Sequence, residues 1–258
     1  MAPAKNRPAS ATAGIMETMH DGRLEPREGK AAAPLRTVRF PANRGGRDFA
    51  VGDIHGCFDK LEIALQAIRF SPSRDRLFSV GDLVDRGPQS AAVLDWLQRP
   101  WFHAIRGNHE LMTWRRASGN PLPDIDHVAH GGAWLDHCDE ATRARLAAAL
   151  AALPLAIEVD TAEGMVGLVH ADFPYDDWQA IHAPGFDADD EAACLWSVER
   201  FRLRYTQPVR NLRALVHGHM TLPRPLQLGN VHYIDTGGWR EGGRFTLLDL
   251  HTLKPHRS

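Results

Sequence analysis

Cysteine is scarce in this sequence: Cys57, Cys138 and Cys194 are the only three in 258 residues, odd in number and far apart. That argues against a disulfide framework and against a thiolate metal site, and it suits a reducing compartment. Long apolar runs are also missing. None approaches the ~18 residues of a membrane span, and the first residues lack the apolar block of a secretory signal. The expectation is a cytoplasmic protein without a membrane segment. A strong charge of one sign is absent too, since the formal net charge of −2 gives no general attraction to nucleic acid. The charge is unevenly spread, with nine Lys/Arg against four Asp/Glu in residues 1–47 and an acidic excess in the remainder.

The length suits one α/β catalytic domain with a tail. Residues 1–34 are rich in Ala, Pro, Gly and charge and show no sustained periodicity, which predicts a poorly ordered tail before a domain over 35–258. The Arg and Ala content could suggest an organellar transit peptide, but Glu17, Asp21, Glu25 and Glu28 speak against one. Residues 36–40 predict an edge strand before a turn at 43–46.

Within the domain, one build recurs. A short apolar strand at 76–80 runs into Gly81-Asp82-Leu83-Val84-Asp85-Arg86-Gly87, residues 49–51 run into Gly52-Asp53-Ile54-His55-Gly56, and residues 102–105 run into Arg106-Gly107-Asn108-His109-Glu110. Asp53 and Asp82 are 29 residues apart and Asp82 and Asn108 are 26, both spacings of βαβ length, so the three strand ends should share one rim. Chemistry in open α/β sheets sits there. Between them, Asp59 and Glu62 form an Asp-x-x-Glu start to a helix carrying Leu61, Leu65 and Ile68, and Gly87-Pro88 opens a second helix. Residues 111–153 read as mainly helical, broken over 119–123, and no chemistry is legible in them. Residues 165–169 are a strand ending at His170, and residues 212–216 a strand ending at Gly218-His219. Between these, 172–191 carries seven acidic residues and no Lys or Arg, which predicts a long acidic loop at the mouth of a site. Residues 231–234 and 244–250 read as a closing antiparallel pair.

Five strand ends thus carry Asp53 and His55, Asp82, Asn108 and His109, His170, and His219. A lone Gly-Asp is usually a turn and a lone histidine usually a hydrogen-bonded structural residue; His103 and His217, within apolar strands, are read that way. Five such ends together are another matter. Carboxylates, an amide and imidazoles suit manganese, iron or zinc, and the order of affinities does not choose among them. Two such ions sharing a carboxylate are a device for hydrolysing phosphate esters.

The three blocks around Asp53, Asp82 and Asn108 resemble the signature of the phosphoprotein phosphatases within the calcineurin-like metallophosphoesterase superfamily. Arg106, His170-Ala171-Asp172-Phe173-Pro174, Leu195-Trp196-Ser197, Gly218-His219 and His232-Tyr233-Ile234-Asp235-Thr236-Gly237 resemble its bacterial and bacteriophage-lambda branch, over about residues 48–250. The resemblance implies an αββα fold of two packed mixed sheets flanked by helices. It implies two divalent ions, manganese before iron or zinc, one held by Asp53, His55 and Asp82 and the other by Asp82, Asn108, His170 and His219. A metal-bridging hydroxide would attack directly, with His109 as general acid, Asp85 orienting it, and Arg86 and Arg106 on the phosphoryl oxygens. The branch has an arginine after Trp-Ser where this chain has Val198, so Arg200 is expected to take its place, with Arg202 as the alternative. Met220-Thr221 also replaces the usual Thr-Pro beside the last ligand.

The expected activity is hydrolysis of phosphoserine and phosphothreonine by a monomer, extending to phosphotyrosine and small phosphoesters. The alternatives are a diadenosine tetraphosphate hydrolase, in which an acid at the position of Asp85 is commonly lacking, and a silent scaffold. No nucleic-acid partner is expected, since aromatic and basic residues are not interleaved.

Overall fold

The structure is a computed structural model that describes residues 35–257, so the tail expected over residues 1–34 lies outside the described residues. Strand β1 (Thr37–Phe40) is the anticipated edge strand. Then come β2 (Asp48–Val51), helix α1 (Phe58–Ala67), β3 (Arg76–Ser79), a 3-10 turn at Ser90–Ala92 running into the single turn α2 (Val93–Trp96), and β4 (Phe102–Ala104). β2, β3 and β4 are parallel neighbours, with Val51 opposite Ser79 and Ser79 opposite Ala104. Their carboxyl ends therefore form one rim, as the motif spacing predicts.

Helices α3 (Asn108–Ala117) and α4 (Glu140–Ala151) follow, then the hairpin of β5 (Ala156–Thr161) and β6 (Gly164–Val169), and helices α5 (Ala188–Trp196) and α6 (Glu199–Arg202). The chain closes with β7 (Ala214–His217), β8 (Leu226–Leu228), β9 (Val231–Tyr233), β10 (Thr246–Asp249) and β11 (Pro255–Arg257). Among the described residues these make a six-stranded sheet, β1-β5-β6-β7-β9-β8, and a five-stranded sheet, β11-β10-β2-β3-β4. Both are mixed.

Alternation along the strands sorts side chains into layers. Phe49, Val51 and Leu77 pack outward with Leu61 of α1 and Leu146 of α4. Their neighbours Ala50 and Phe78 point the other way and meet Ile157, Val166, Leu168 and Val216 of the second sheet. The outer face of that sheet is covered by Phe173, Trp178 and Leu195, packed on Leu215 and Val231. Fully burying each such side chain is worth about 2 kcal/mol, so these two-residue repeats hold the sheets face to face. No helix of the described residues is long and apolar enough to cross a membrane.

Three local expectations change and a strand is added. Asp59 does not cap α1; the cap position is Cys57, Asp59 lies in the first turn, and Glu62 pairs with Arg99 at 3.1 Å. The strands near 231–234 and 244–250 are not partners: β9 runs parallel to β7 in one sheet and β10 antiparallel to β2 in the other, so the glycine-rich stretch 237–243 is a crossing between sheets. β5 is a further strand, on which Ile157 and Val159 alternate with Asp160 and with Glu158, a buried acid that accepts bonds from Trp178 Nε1 and His182 Nε2. Finally, 172–191 is not one loop. Asp177 caps a 3-10 turn at Trp178–His182, and Asp187 caps α5, accepting from the Asp189 and Asp190 amides while Asp190 accepts from the Asp187 amide. Much of that acidity is spent on starting helices.

Candidate functional site

Asp82 leaves the end of β3 at φ +52, and its carboxylate is nearly fully buried. His170 Nε2 lies 3.3 Å from it, His55 Nε2 3.6 Å and His109 Nε2 3.9 Å. Two groups of donor atoms compact enough for a cation share this residue: His55, Asp82 and His109, and Asp82, His170 and His219. Asn108 Oδ1 joins the second, 2.9 Å from His170 Nε2 and 3.2 Å from His219 Nδ1. Asp53 sits beside them, accepting the His219 backbone N–H on both oxygens at 3.0 and 3.1 Å. The rim of the five-stranded sheet and the ends of β6 and β7 therefore converge, as the sequence predicts for these six residues.

Backbone bonds orient the imidazoles. His55 Nδ1 donates to Val84 O and His170 Nδ1 to Val80 O, each at 2.8 Å, which turns both Nε2 atoms toward Asp82. Five site residues, His55, Asp82, Asp85, Arg86 and His219, have positive φ, half of the ten such non-glycine residues described. Each costs of order 1 kcal/mol or more, and such strain collects where side-chain placement matters more than stability. Glu110 offsets part of it: its carboxylate accepts the amides of Asp82, Leu83 and Gly107 at 2.7–2.8 Å, tying the turn after β3 to the start of α3. Its signal in the sequence is its place three residues after the Gly107 cap.

The electrostatics fit a cation site. Burial, then Asp235 and Asp82, push Asp53 up, while burial and Asp82 push Glu110 to about 7. His170 rises to about 10: burial opposes its charge, but Asp82 and Asp53 outweigh it. Asp82 goes the other way: burial would raise it, but His170 and His109 hold it well below the usual carboxylate range, so this buried cluster draws positive charge toward its centre. Oxygen and imidazole donors without sulfur suit a hard or borderline divalent ion.

Residues 49–223 match the family described as calcineurin-like phosphoesterase. The chain belongs to that family. It is thus a hydrolase of the phosphoesterase superfamily, whose members use a dimetal centre. Among its relatives is serine/threonine-protein phosphatase 1 of Salmonella typhimurium, 36% identical over 214 residues, which are 81% of this chain and 94% of that protein. A symmetrical bis(5'-nucleosyl)-tetraphosphatase of Methylococcus capsulatus is 38% identical over 128 residues, 49% of this chain and 43% of that protein. The crystal structure of a protein provisionally assigned as a diadenosine tetraphosphatase superposes with a TM-score of 0.61 at 21% identity, covering 87% of this chain and 97% of that one, a likeness of fold.

Around this metallophosphoesterase centre, His109 Nδ1 donates to Asp85 Oδ2 at 2.7 Å. Burial alone would raise Asp85, but bonds from His109 and His127 hold it at about 2, a fixed anion. Arg86 turns its fork inward, NH1 2.8 Å from His55 Nε2 and NH2 3.1 Å from His109 Nε2, with its guanidinium 4.6 Å from the Trp239 ring centre. Trp239 comes from the crossing between sheets and carried no signal in the sequence. Arg106 is buried over Trp114 at 5.1 Å, and its Nε and NH1 have no partner among the described residues.

Arg200 is a correction. Its guanidinium donates to Phe173 O at 2.9 Å, Tyr175 O at 2.8 Å, Gln207 O at 3.2 Å and the Asp176 carboxylate, so four of its five N–H donors brace the segment after His170 and no fork is left to grip a phosphate. Arg202 is no substitute, being exposed and paired with Glu199. Arg200→Ala is expected to cost on the order of 3 kcal/mol, because three backbone carbonyls lose a charged donor, with KM unchanged. An unaltered melting temperature with a raised KM would show that it reaches substrate after all. At the other departure, Thr221 Oγ1 donates to Asp235 Oδ2 at 2.5 Å, so the exchange beside His219 gains a bond to an acid flanking Asp53.

Proposed function

We propose that this metallophosphoesterase hydrolyses phosphomonoesters of serine and threonine, with phosphotyrosine and small phosphoesters as further substrates. The observation that carries the reading is the His109–Asp85 pair at 2.7 Å. A serine or threonine alkoxide is a poor leaving group and needs a proton in the transition state, whereas a nucleotide phosphate leaves without one. A positioned acid is therefore worth most on a phosphomonoester of an alcohol. The relationship to a Salmonella phosphatase over most of both chains supports the same class.

In this reading Asp53, His55 and Asp82 hold one divalent ion and Asp82, Asn108, His170 and His219 a second, manganese being the first candidate and iron or zinc the others. When bound, the ions supply Lewis acidity toward the phosphoryl oxygens. Arg86 grips those oxygens with its fork, and Arg106 brings a buried charge whose Nε and NH1 donors are unspent. Once a phosphoryl group engages Arg86, its N–H groups leave the ring nitrogens, and His109 Nε2 is free to take up a proton from solvent and pass it to the departing oxygen. The proton on Nδ1 stays on the Asp85 bond and keeps the ring in place.

The second reading, hydrolysis of a dinucleoside tetraphosphate, is favoured by the Methylococcus relative. Side-by-side turnover of a phosphoserine peptide and diadenosine tetraphosphate with manganese separates the two. We expect kcat/KM for the peptide to be higher by roughly tenfold or more; the reverse order would sink the phosphomonoesterase reading.

A further inference from the structure

The connection between α3 and α4, residues 118–139, shows no chemistry in its sequence, yet it reaches the centre of the site. Asp85 Oδ1 accepts Trp134 Nε1–H at 2.7 Å, and Oδ2 accepts His127 Nε2–H at 2.9 Å beside the bond from His109. Thr113 Oγ1 adds a longer contact to Oδ1 at 3.4 Å. A carboxylate has about four lone-pair sites, so Asp85 is saturated, and two of its donors come from this one connection. His127 is buried and its Nδ1 has no partner among the described residues, so the ring spends its only polar contacts on Asp85 and the neighbouring Thr113 hydroxyl.

The backbone is built for this arrangement. Gly131 has φ +98 and accepts the Arg86 amide at 3.2 Å; a Cβ there would lie 2.7 Å from Arg86 N. A Cβ on Gly132 would lie 2.3 Å from His127 Nε2. The glycine pair thus slots between the Arg86 backbone and the His127 ring, and the 3-10 turn Gly132–His137 then returns the Trp134 indole to Asp85.

We propose that Trp134 and His127 are positioning residues that fix the Asp85 carboxylate and, through it, which nitrogen of His109 faces the site. Without the indole N–H, Oδ1 loses its one short bond and the carboxylate can turn. His109 then loses the partner that holds its Nδ1–H, and both ring orientations become accessible. The kinetic part of the inference rests on His109 being the proton donor of the proposed reaction; the structural part does not.

The test uses Trp134→Phe, which keeps an aromatic ring without the N–H, with His127→Leu and His127→Gln, the last retaining a donor near the place of Nε2. The direct readout is the His109 Nδ1–H resonance in long-range proton–nitrogen spectra of the whole protein. Its exchange with water should speed up by roughly tenfold or more in Trp134→Phe and His127→Leu and stay near wild type in His127→Gln. An unchanged resonance in both disabling variants overturns the proposal whatever the activity. In kinetics, Trp134→Phe should lower kcat on a phosphoserine peptide by roughly tenfold at constant KM while p-nitrophenyl phosphate falls by less than about threefold, because nitrophenolate leaves with little help. In an Asp85→Asn background the same substitution should add nothing. Equal losses on both esters, or an undiminished loss in that background, mean a merely structural role. If the resonance responds but neither ester is hydrolysed, the positioning stands and the phosphomonoesterase reading falls.

Discussion

Asp82→Asn is expected to leave the fold intact and to empty the centre, because Asp82 is common to both groups of donor atoms and an amide brings no charge to offset two divalent cations. Loss of a partner in the outer shell of a metal site weakens binding by roughly 10- to 100-fold; losing the shared ligand should exceed that, with turnover falling in step. The backbone bond from Asp82 N to Glu110 survives the substitution, so the turn after β3 should keep its shape. Metal content after equilibrium dialysis is the measurement. Asn108→Ala is the contrast, expected to spare the ion held by Asp53, His55 and Asp82. An Asp82→Asn protein that still binds a full complement would remove Asp82 from the shared position.

His109→Asn should lose roughly 100- to 10,000-fold in kcat on a phosphoserine peptide at unchanged metal content, the usual worth of a positioned acid. His109 competes for two roles here. Its Nε2 is close enough to Asp82 to count as a cation donor, at 3.9 Å, yet its Nδ1 is bound by Asp85 and its Nε2 faces the Arg86 fork. We assign it to proton transfer because the Asp85 bond fixes Nδ1 and the arginine places Nε2 where the substrate must come. The leaving group decides: the loss should be much smaller on p-nitrophenyl phosphate. Equal impairment on both esters together with a lowered metal content would make His109 a ligand.

The centre was legible in the chain because each part obeys a local rule. A short apolar strand ending in Gly-Asp places its carboxylate on the rim whatever else the protein does, and βαβ spacing puts consecutive rims side by side. The strand ends at His170 and His219 follow the same rule, although they belong to the other sheet. Arg200 failed for the opposite reason. A guanidinium five bonds from its backbone goes where acceptors are, and it is met by Phe173 O, Tyr175 O, Gln207 O and Asp176; nothing local in residues 198–202 signals that. The acidic run over 172–191 misled similarly, since a carboxylate that caps a helix and one that faces solvent are the same letter.

Residue order by itself determined the donor inventory and the parallel three-stranded rim, because these depend on periodicity, on which residues end each strand and, for the rim, on spacings of under 30 residues; the family was legible from the resemblance of the motif blocks. Tertiary structure alone decided that β9 and β10 join different sheets, that Glu110 locks the turn after β3, and that Trp134 and His127 converge on Asp85 from 49 and 42 residues away. Those contacts pair groups whose need for a partner arises only on burial, where an unmatched donor or carboxylate costs a few kcal/mol, and burial is a property of the packed sheets.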